Sequence, residues 1–395
     1  MNTKTLGYIY DARYYKCEDG IYAAGVFEVG VWDRFLGGFD KIKVFGSIYE
    51  ATPSQVLGLN KMNHPQVEYI HVPYIDSIPK LLKNLFVSNP IFVKEIKNVD
   101  AIVLRTPGQL SSNAFYVGKR MNKKIGLEVV GCPWDSYMNY GNIQGKILAP
   151  IYFLWLRRIV KNADYVLYVT KYFLQKRYPT NTNHTEHASN VEITIPDNEI
   201  INEKIRLIDS SFENGVVTLG IMGSFDVKYK GHEEILKALR LVKDKVNIII
   251  RIEMIGPGDF QWVLDLAQTL DLSENLVVKG KLTSGKQVID WLKNVDLYIH
   301  PSKQEGLPRS VIEAMSRATP ILASSIAGIP ELIRNEYLHR PGDYKKLAKQ
   351  LKNCIANKEK LFEMAGENYG NSLEYDSKIL SNKRKKFWKR FSHEI

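Results

Sequence analysis

HPSKQEGLPRSVIEAMSRATPILASSIAGIPELI, residues 300–333, is the stretch that decides the fold. A short β-rich run, 297–300, ends at His300, and a polar turn follows. Pro308 then stands where a first helical residue is expected; its missing N–H costs nothing there and its fixed φ suits a helix. The N–H groups of Gly306, Leu307 and Arg309 are predicted to point out of the turn and helix start, where the helix dipole also favours an anion. Glu305 lies just before this helix and Glu313 along it. Each carboxylate can accept hydrogen bonds from paired hydroxyls, so the pattern suits a nucleotide-sugar, one carboxylate holding the sugar and the other the ribose.

A second stretch supports the first. GIMGSFDVKYKGHEEILKAL, residues 220–239, reads as strand, loop and helix, with Gly223 and Ser224 at the turn and Lys228 and Lys230 beyond it. Ile235, Leu236 and Leu239 give the helix an apolar face. A lysine at such a turn neutralises a diphosphate as a compact charge. The G-x-x-x-x-G-K-[ST] phosphate loop is absent from it.

Taken together, these residues resemble the retaining glycosyltransferases of the GT-B fold, specifically glycosyltransferase family 4. The resemblance covers the second half of the chain: the Lys230-Gly231 pair, the Gly256-Pro257-Gly258 turn, the strand ending at Gly280, EGLPRSVIEAM and AGIPELI. It implies that Glu305 contacts the transferred sugar, Glu313 the ribose and Lys230 the diphosphate, with Glu305 and Lys230 the catalytic residues. Gly223, Ser224 and Lys228 belong to the implied donor site, and the backbone around Gly280 and Leu282 frames the base. Many relatives carry an arginine where this chain has Ser224; Lys228 and Arg309 are the alternatives for that charge. The nucleotide-sugar is a substrate, UDP-sugar favoured over GDP-sugar, and no cofactor or metal is expected.

Working outward, short β-rich runs alternate with helical patterns along the whole chain, which predicts parallel sheets in an α/β protein. First-half strands are expected at 6–10, 42–45, 67–72, 101–104, 126–130 and 165–169, with helices at 112–124 and from about 150 to 162. Second-half strands are expected at 216–222, 247–255, 276–278, 297–300 and 321–323, with helices beginning near His232, Asp259, Ser284 and Pro308. Residues 179–214 are polar and show no sustained helical period. The expected organisation is therefore two Rossmann-like domains facing across a cleft: 1–195 binds the acceptor, 196–214 links, and 215–372 binds the donor. A last helix from about 373 to 395 is expected to cross back onto the first domain.

The first half resembles the family less closely. Cys17-Glu18-Asp19-Gly20 corresponds to a glycine-rich loop but keeps only Gly20. LEVVGCPWDSY, residues 127–137, lacks the histidine that many relatives place there, leaving Asp135 or backbone carbonyls as its replacement. Arg105, in the turn Arg105-Thr106-Pro107-Gly108, is the candidate contact for an acceptor phosphate. Trp134 reads as packing rather than as a sugar platform.

At 395 residues the chain is too long for one core, and 45% hydrophobic with 25% charged residues is ordinary globular composition. Three scattered cysteines make neither a disulfide framework nor a zinc cluster. No apolar run is long enough to span a membrane and the start lacks a secretory pattern, so a cytoplasmic protein, peripheral on the inner face of the membrane, is expected. The net charge of +11 favours anionic partners. Residues 383–395, KRKKFWKRFSHEI, hold six Lys/Arg interleaved with Phe387, Trp388 and Phe391, which suits an anionic membrane surface. Residues 146–161 look similar but read better as a buried helix. Nucleic-acid signatures are absent, so no nucleic-acid partner is expected. The resemblance and the basic surface together imply transfer to a polyprenyl-diphosphate-linked glycan in bacterial capsule, exopolysaccharide or O-antigen assembly. The rival reading, a non-catalytic scaffold that binds sugar nucleotide or glycan, rests on the reduced glycine loop and the missing histidine.

Overall fold

The computed structural model describes residues 3–23, 29–73, 89–138, 143–282 and 285–395. Two units are distinguished, Met1–Ala188 with Leu380–Ile395, and Ser189–Ile379.

In the first unit the described strands are β1 (Thr5–Cys17), β2 (Gly20–Ala23), β3 (Lys41–Glu50), β4 (Asn60–Lys61), β5 (Val67–His71), β6 (Ala101–Thr106), β7 (Lys124–Val129), β8 (Tyr165–Tyr168) and β9 (Thr185–His187). Among them β5-β3-β1-β6-β7-β8-β9 run parallel in the order of a doubly wound sheet. The residues of β6 are all buried, as expected for a strand covered on both faces.

β1 departs from expectation. It does not stop near Tyr10: the register with β3 shifts between Ile9 and Arg13 and then resumes at Arg13 opposite Ser47. Its far end turns at Glu18-Asp19 and pairs antiparallel with β2, Cys17 facing Gly20. The expected glycine-rich loop is thus a tight hairpin, because Tyr14 and Cys17 find buried places on the extended strand.

Helix Ser377–His393, from Leu380 onward, completes this unit. Phe387, Trp388 and Phe391 are all buried. The Trp388 ring lies 5.4 Å from Phe35, and those of Phe387 and Phe391 lie 5.4 and 5.2 Å from Tyr165. The tail's aromatics are therefore core, which corrects the view of them as membrane anchors: spaced i, i+1, i+4, they share the helix's inner face.

The second unit holds β10 (Val216–Met222), β11 (Ile249–Ile255), β12 (Leu276–Gly280), β13 (Leu297–His300), β14 (Ile321–Ser324) and β15 (Leu338–His339), all parallel in the order β12-β11-β10-β13-β14-β15. Helices His232–Arg240, Gln261–Thr269, Lys286–Lys293 and Arg309–Met315 follow successive strands. Ser284, the expected start of the third, lies outside the described residues. The expected linker 196–214 is largely helix Glu199–Glu213, within the second unit. Its buried residues are Ile200, Lys204 and Ile208, so a lysine interrupts the apolar stripe from which a helix is read. The Lys204 ammonium donates to the carbonyls of Leu292 (2.9 Å), Lys293 (3.2 Å) and Val295 (2.7 Å), closing the C-terminal end of helix Lys286–Lys293.

Candidate functional site

In the second unit the strand order reverses between β10 and β13, and ligands of such sheets bind beyond the carboxyl ends at that point. β10 ends there at Met222, followed by Gly223 and Ser224; β13 ends at His300, followed by the turn that carries Glu305. Backbone contacts set the two loops against each other. Lys303 N–H donates to the Tyr229 carbonyl at 2.7 Å, and the Ser302 hydroxyl donates to the same oxygen at 3.2 Å. Gly231 makes this approach possible. Its φ is 88°, and a Cβ there would lie 2.5 Å from the Pro301 carbonyl oxygen. Gly256, at φ 155°, likewise lets its strand end press on Gly223, whose N–H donates to Ile255.

Lys230 and Glu305 meet as a result. Lys230 Nζ lies 2.9 Å from Glu305 Oε1, and His300 Nε2 lies 3.0 Å from the same oxygen. A carboxylate only accepts, so His300 carries its proton on Nε2 and donates it to Glu305. The Tyr298 hydroxyl lies 3.4 Å from His300 Nδ1. Burial opposes ionisation of Glu305, but its hydrogen bonds and electrostatic attraction to His300 and Lys230 hold it down to about 2. The site thus contains a fixed carboxylate beside a lysine that is only partly exposed. His300 has no assigned role in the sequence reading; its position as the last residue before the turn, at the reversal point, is the signal that marks it.

Pro308 sits one residue before the helix, which runs Arg309–Met315. Among the described residues, the N–H groups of Gly306, Leu307 and Arg309 have no hydrogen-bond partner. The Gly306 carbonyl accepts from Gly328 N–H at 2.9 Å, which ties AGIPELI to this turn. Glu313 is half-buried, and burial raises its carboxyl against the pull of Arg309. Burial holds the proton on the Tyr298 hydroxyl more tightly, and the charges of Glu313 and Glu305 add to it. Ser224 is engaged with Asp226 at 3.3 Å, and Lys228 lies exposed over the Trp262 ring. Gly280 ends β12 with φ 68°, its carbonyl accepting from Gly256 N–H, and Leu282 follows half-buried.

Of the three expected acceptor residues, the first unit buries Arg105 and leaves Asp135 and Gly20 half-buried. Arg105 is buried, with Nη1 2.9 Å from Glu128 Oε2 and its guanidinium over Tyr10. Glu128 is its register partner on β7 and also binds Arg34 and Tyr8, each at 3.0 Å. Asp135 lies in helix Pro133–Met138 and pairs with Arg177 at 3.2 Å. Gly20 is in the hairpin. Trp134 packs edge-on against Phe153, as expected. Asp11 is a half-buried carboxylate that the sequence reading missed: it accepts from Gln109 N–H and, at 2.9 Å, from Leu110 N–H at the start of helix Gln109–Arg120.

Residues 213–370 match the model of the glycosyl transferases group 1 family. Protein CapJ of Staphylococcus aureus is 31% identical over 384 residues, covering 96% of this chain and 93% of CapJ. The N,N'-diacetylbacillosaminyl-diphospho-undecaprenol alpha-1,3-N-acetylgalactosaminyltransferase of Campylobacter jejuni is 24% identical over 41% of this chain and 42% of that enzyme. Among solved structures, Anabaena HepE in complex with UDP-glucose superposes with a TM-score of 0.62 at 14% identity, covering 96% of this chain and 98% of HepE. The strand orders, the paired loops at the sheet reversal and these similarities agree: the chain has the GT-B fold and belongs to the group 1 glycosyltransferases.

Proposed function

We propose that the chain is a retaining family 4 enzyme that moves a sugar from a nucleoside diphosphate sugar, UDP-sugar by preference, to a hydroxyl of a polyprenyl-diphosphate-linked glycan in capsule assembly. The observation that carries the reading is the Lys230–Glu305–His300 cluster at the sheet reversal, beside the unpartnered N–H groups of residues 306, 307 and 309. Similarity to the capsular polysaccharide biosynthesis glycosyltransferase CapM of Staphylococcus aureus, 25% identical over 205 residues, supports the capsule; the diphospho-undecaprenol in the Campylobacter enzyme's name supports the lipid-linked acceptor; the UDP-glucose bound by HepE supports the donor.

In this reading the resting ion pair is exchanged when donor arrives. The Lys230 ammonium turns from Glu305 to the diphosphate, where a compact cation is worth most as charge builds on the leaving oxygen. Glu305, still held by His300, then accepts from hydroxyls of the sugar, while Glu313 accepts from the ribose. Gly223, Ser224 and Lys228 line the diphosphate side, and the backbone from Gly280 to Leu282 frames the base. The bond from the anomeric carbon to the phosphate oxygen breaks, the bond to the acceptor oxygen forms on the same face, and the acceptor proton passes to the leaving phosphate oxygen. Lysine and backbone amides supply the charge stabilisation that a divalent ion supplies elsewhere, and the peripheral, cytoplasmic setting follows from the lipid-linked acceptor.

Thermal shifts with UDP, GDP and their sugars, followed by assay for slow donor hydrolysis, test the proposal. A tight ligand raises the melting temperature of its folded host. Stabilisation by UDP and a UDP-sugar with hydrolysis of that donor is expected; a flat response to every nucleotide would overturn it. Binding without turnover would favour the scaffold.

A further inference from the structure

Helix Ile143–Lys161 of the first unit carries a feature that the transfer reaction does not use. Its inner face is an ordinary core surface, with Leu148, Ala149, Tyr152, Leu156, Ile159 and Val160 all buried. Its outer face is apolar too. Ile143 is 75% exposed, Ile147 60%, Ile151 38% and Leu154 63%, and the spacing of four, four and three residues puts them on one stripe. Pro150, also exposed, lies within it. Large aliphatic side chains left this open on consecutive turns mark a contact surface rather than scattered surface hydrophobes.

The charges around the stripe have one sign. Lys146, Arg157, Arg158 and Lys161 are exposed on the same helix, and the sequence holds no Asp or Glu from Ser136 to Ala163. An apolar stripe flanked only by cations is the pattern of a helix lying in the interface of an anionic bilayer, its aliphatic groups among the acyl chains and its basic groups at the lipid phosphates. The C-terminal helix cannot offer this combination. Its exposed Lys385, Lys386, Lys389 and Arg390 have charge, but its aromatic rings are spent in the core.

We propose that the outer face of helix Ile143–Lys161, not the aromatic tail, docks the protein on an anionic phospholipid surface. The stripe and its flanking charges lie on this helix alone, independent of the donor and acceptor assignments.

The test is co-sedimentation of the full chain, without nucleotide, with vesicles of phosphatidylcholine alone or mixed with phosphatidylglycerol. Two double variants, Ile147→Ser with Leu154→Ser and Arg158→Glu with Lys161→Glu, change only exposed side chains, so their melting temperatures should match the unaltered protein. Binding to the mixed vesicles is expected to exceed that to phosphatidylcholine by roughly tenfold or more, and each variant to lose roughly tenfold, the charge variant through its two reversed basic groups and the serine variant through its lost aliphatic burial. Equal or absent binding to the two vesicle types, or variants that bind as the unaltered protein does, would overturn the proposal. So would a dimer in gel filtration that the serine variant converts to monomer, since a second copy would then cover the stripe.

Discussion

Lys230 is bound to a carboxylate at rest and, in the proposed mechanism, moves to a phosphate during transfer, so its substitution separates charge from geometry. Lys230→Ala should lower transfer by roughly a hundredfold or more, the usual scale for removing one group that stabilises transition-state charge. Lys230→Arg should recover little, because a planar fork does not replace a compact ammonium whose stem lies directly against Gly223. Steady-state kinetics on one donor would show both. Acid sensitivity arises elsewhere. Burial holds His232 and His339 down to about 4, whereas an imidazole in an unfolded chain titrates near ~6.5. Between those values the unfolded state binds more protons, so the second unit should lose stability as pH falls from about 6.5 toward 4. Asp296, raised to about 6 by burial, opposes part of that slope. Urea midpoints near neutrality and near pH ~5 measure it, and His339→Gln should flatten the dependence. Glu305 acts lower still: its depressed carboxyl contributes above the ordinary carboxylate range and is lost only as pH falls toward about 2.

At the scale of elements, Lys204 joins helix Glu199–Glu213 to the end of helix Lys286–Lys293. Burial pulls its ammonium down to about 7 against the attraction of Asp296, and three backbone carbonyls compensate. Lys204→Met keeps the aliphatic stem but leaves those carbonyls without a donor, and should cost ~2–4 kcal/mol in urea unfolding of the second unit. The same residue shows what sequence conveys and what it hides. Helix starts at 232, 261 and 309 were readable because Gly231, Asp259 and Pro308 punctuate the chain locally. Helix Glu199–Glu213 was not, because its lysine is buried by a partner some ninety residues away. Arg105 was misread for a related reason: an arginine ending a strand looks alike whether it faces solvent or, as here, Glu128 on the next strand. The loop and helix motifs of the second unit were legible because each acts over a short stretch of chain. The first unit depends on register, and the shift in β1 that makes Gly20 a hairpin residue leaves no mark in composition.

At the scale of the whole molecule, the first unit is sealed by residues that follow the second in the chain. Trp388 is fully buried and sits so close to the sheet that a Cβ on Gly126 would lie 2.5 Å from its ring. Trp388→Ala should therefore destabilise the first unit by ~3–5 kcal/mol, the range for emptying a large aromatic site. Calorimetry of the intact chain should show the transition of that unit lowered and that of the second unchanged, which also tests whether the two melt separately. The arrangement has a consequence for biosynthesis. As the chain leaves the ribosome, the amino-terminal unit must wait for its closing helix until the intervening unit has been translated, so the later-made half can finish folding first. During that interval the niche for Trp388 stands open, a vacant greasy socket for chaperones or for the tail of a neighbouring nascent chain.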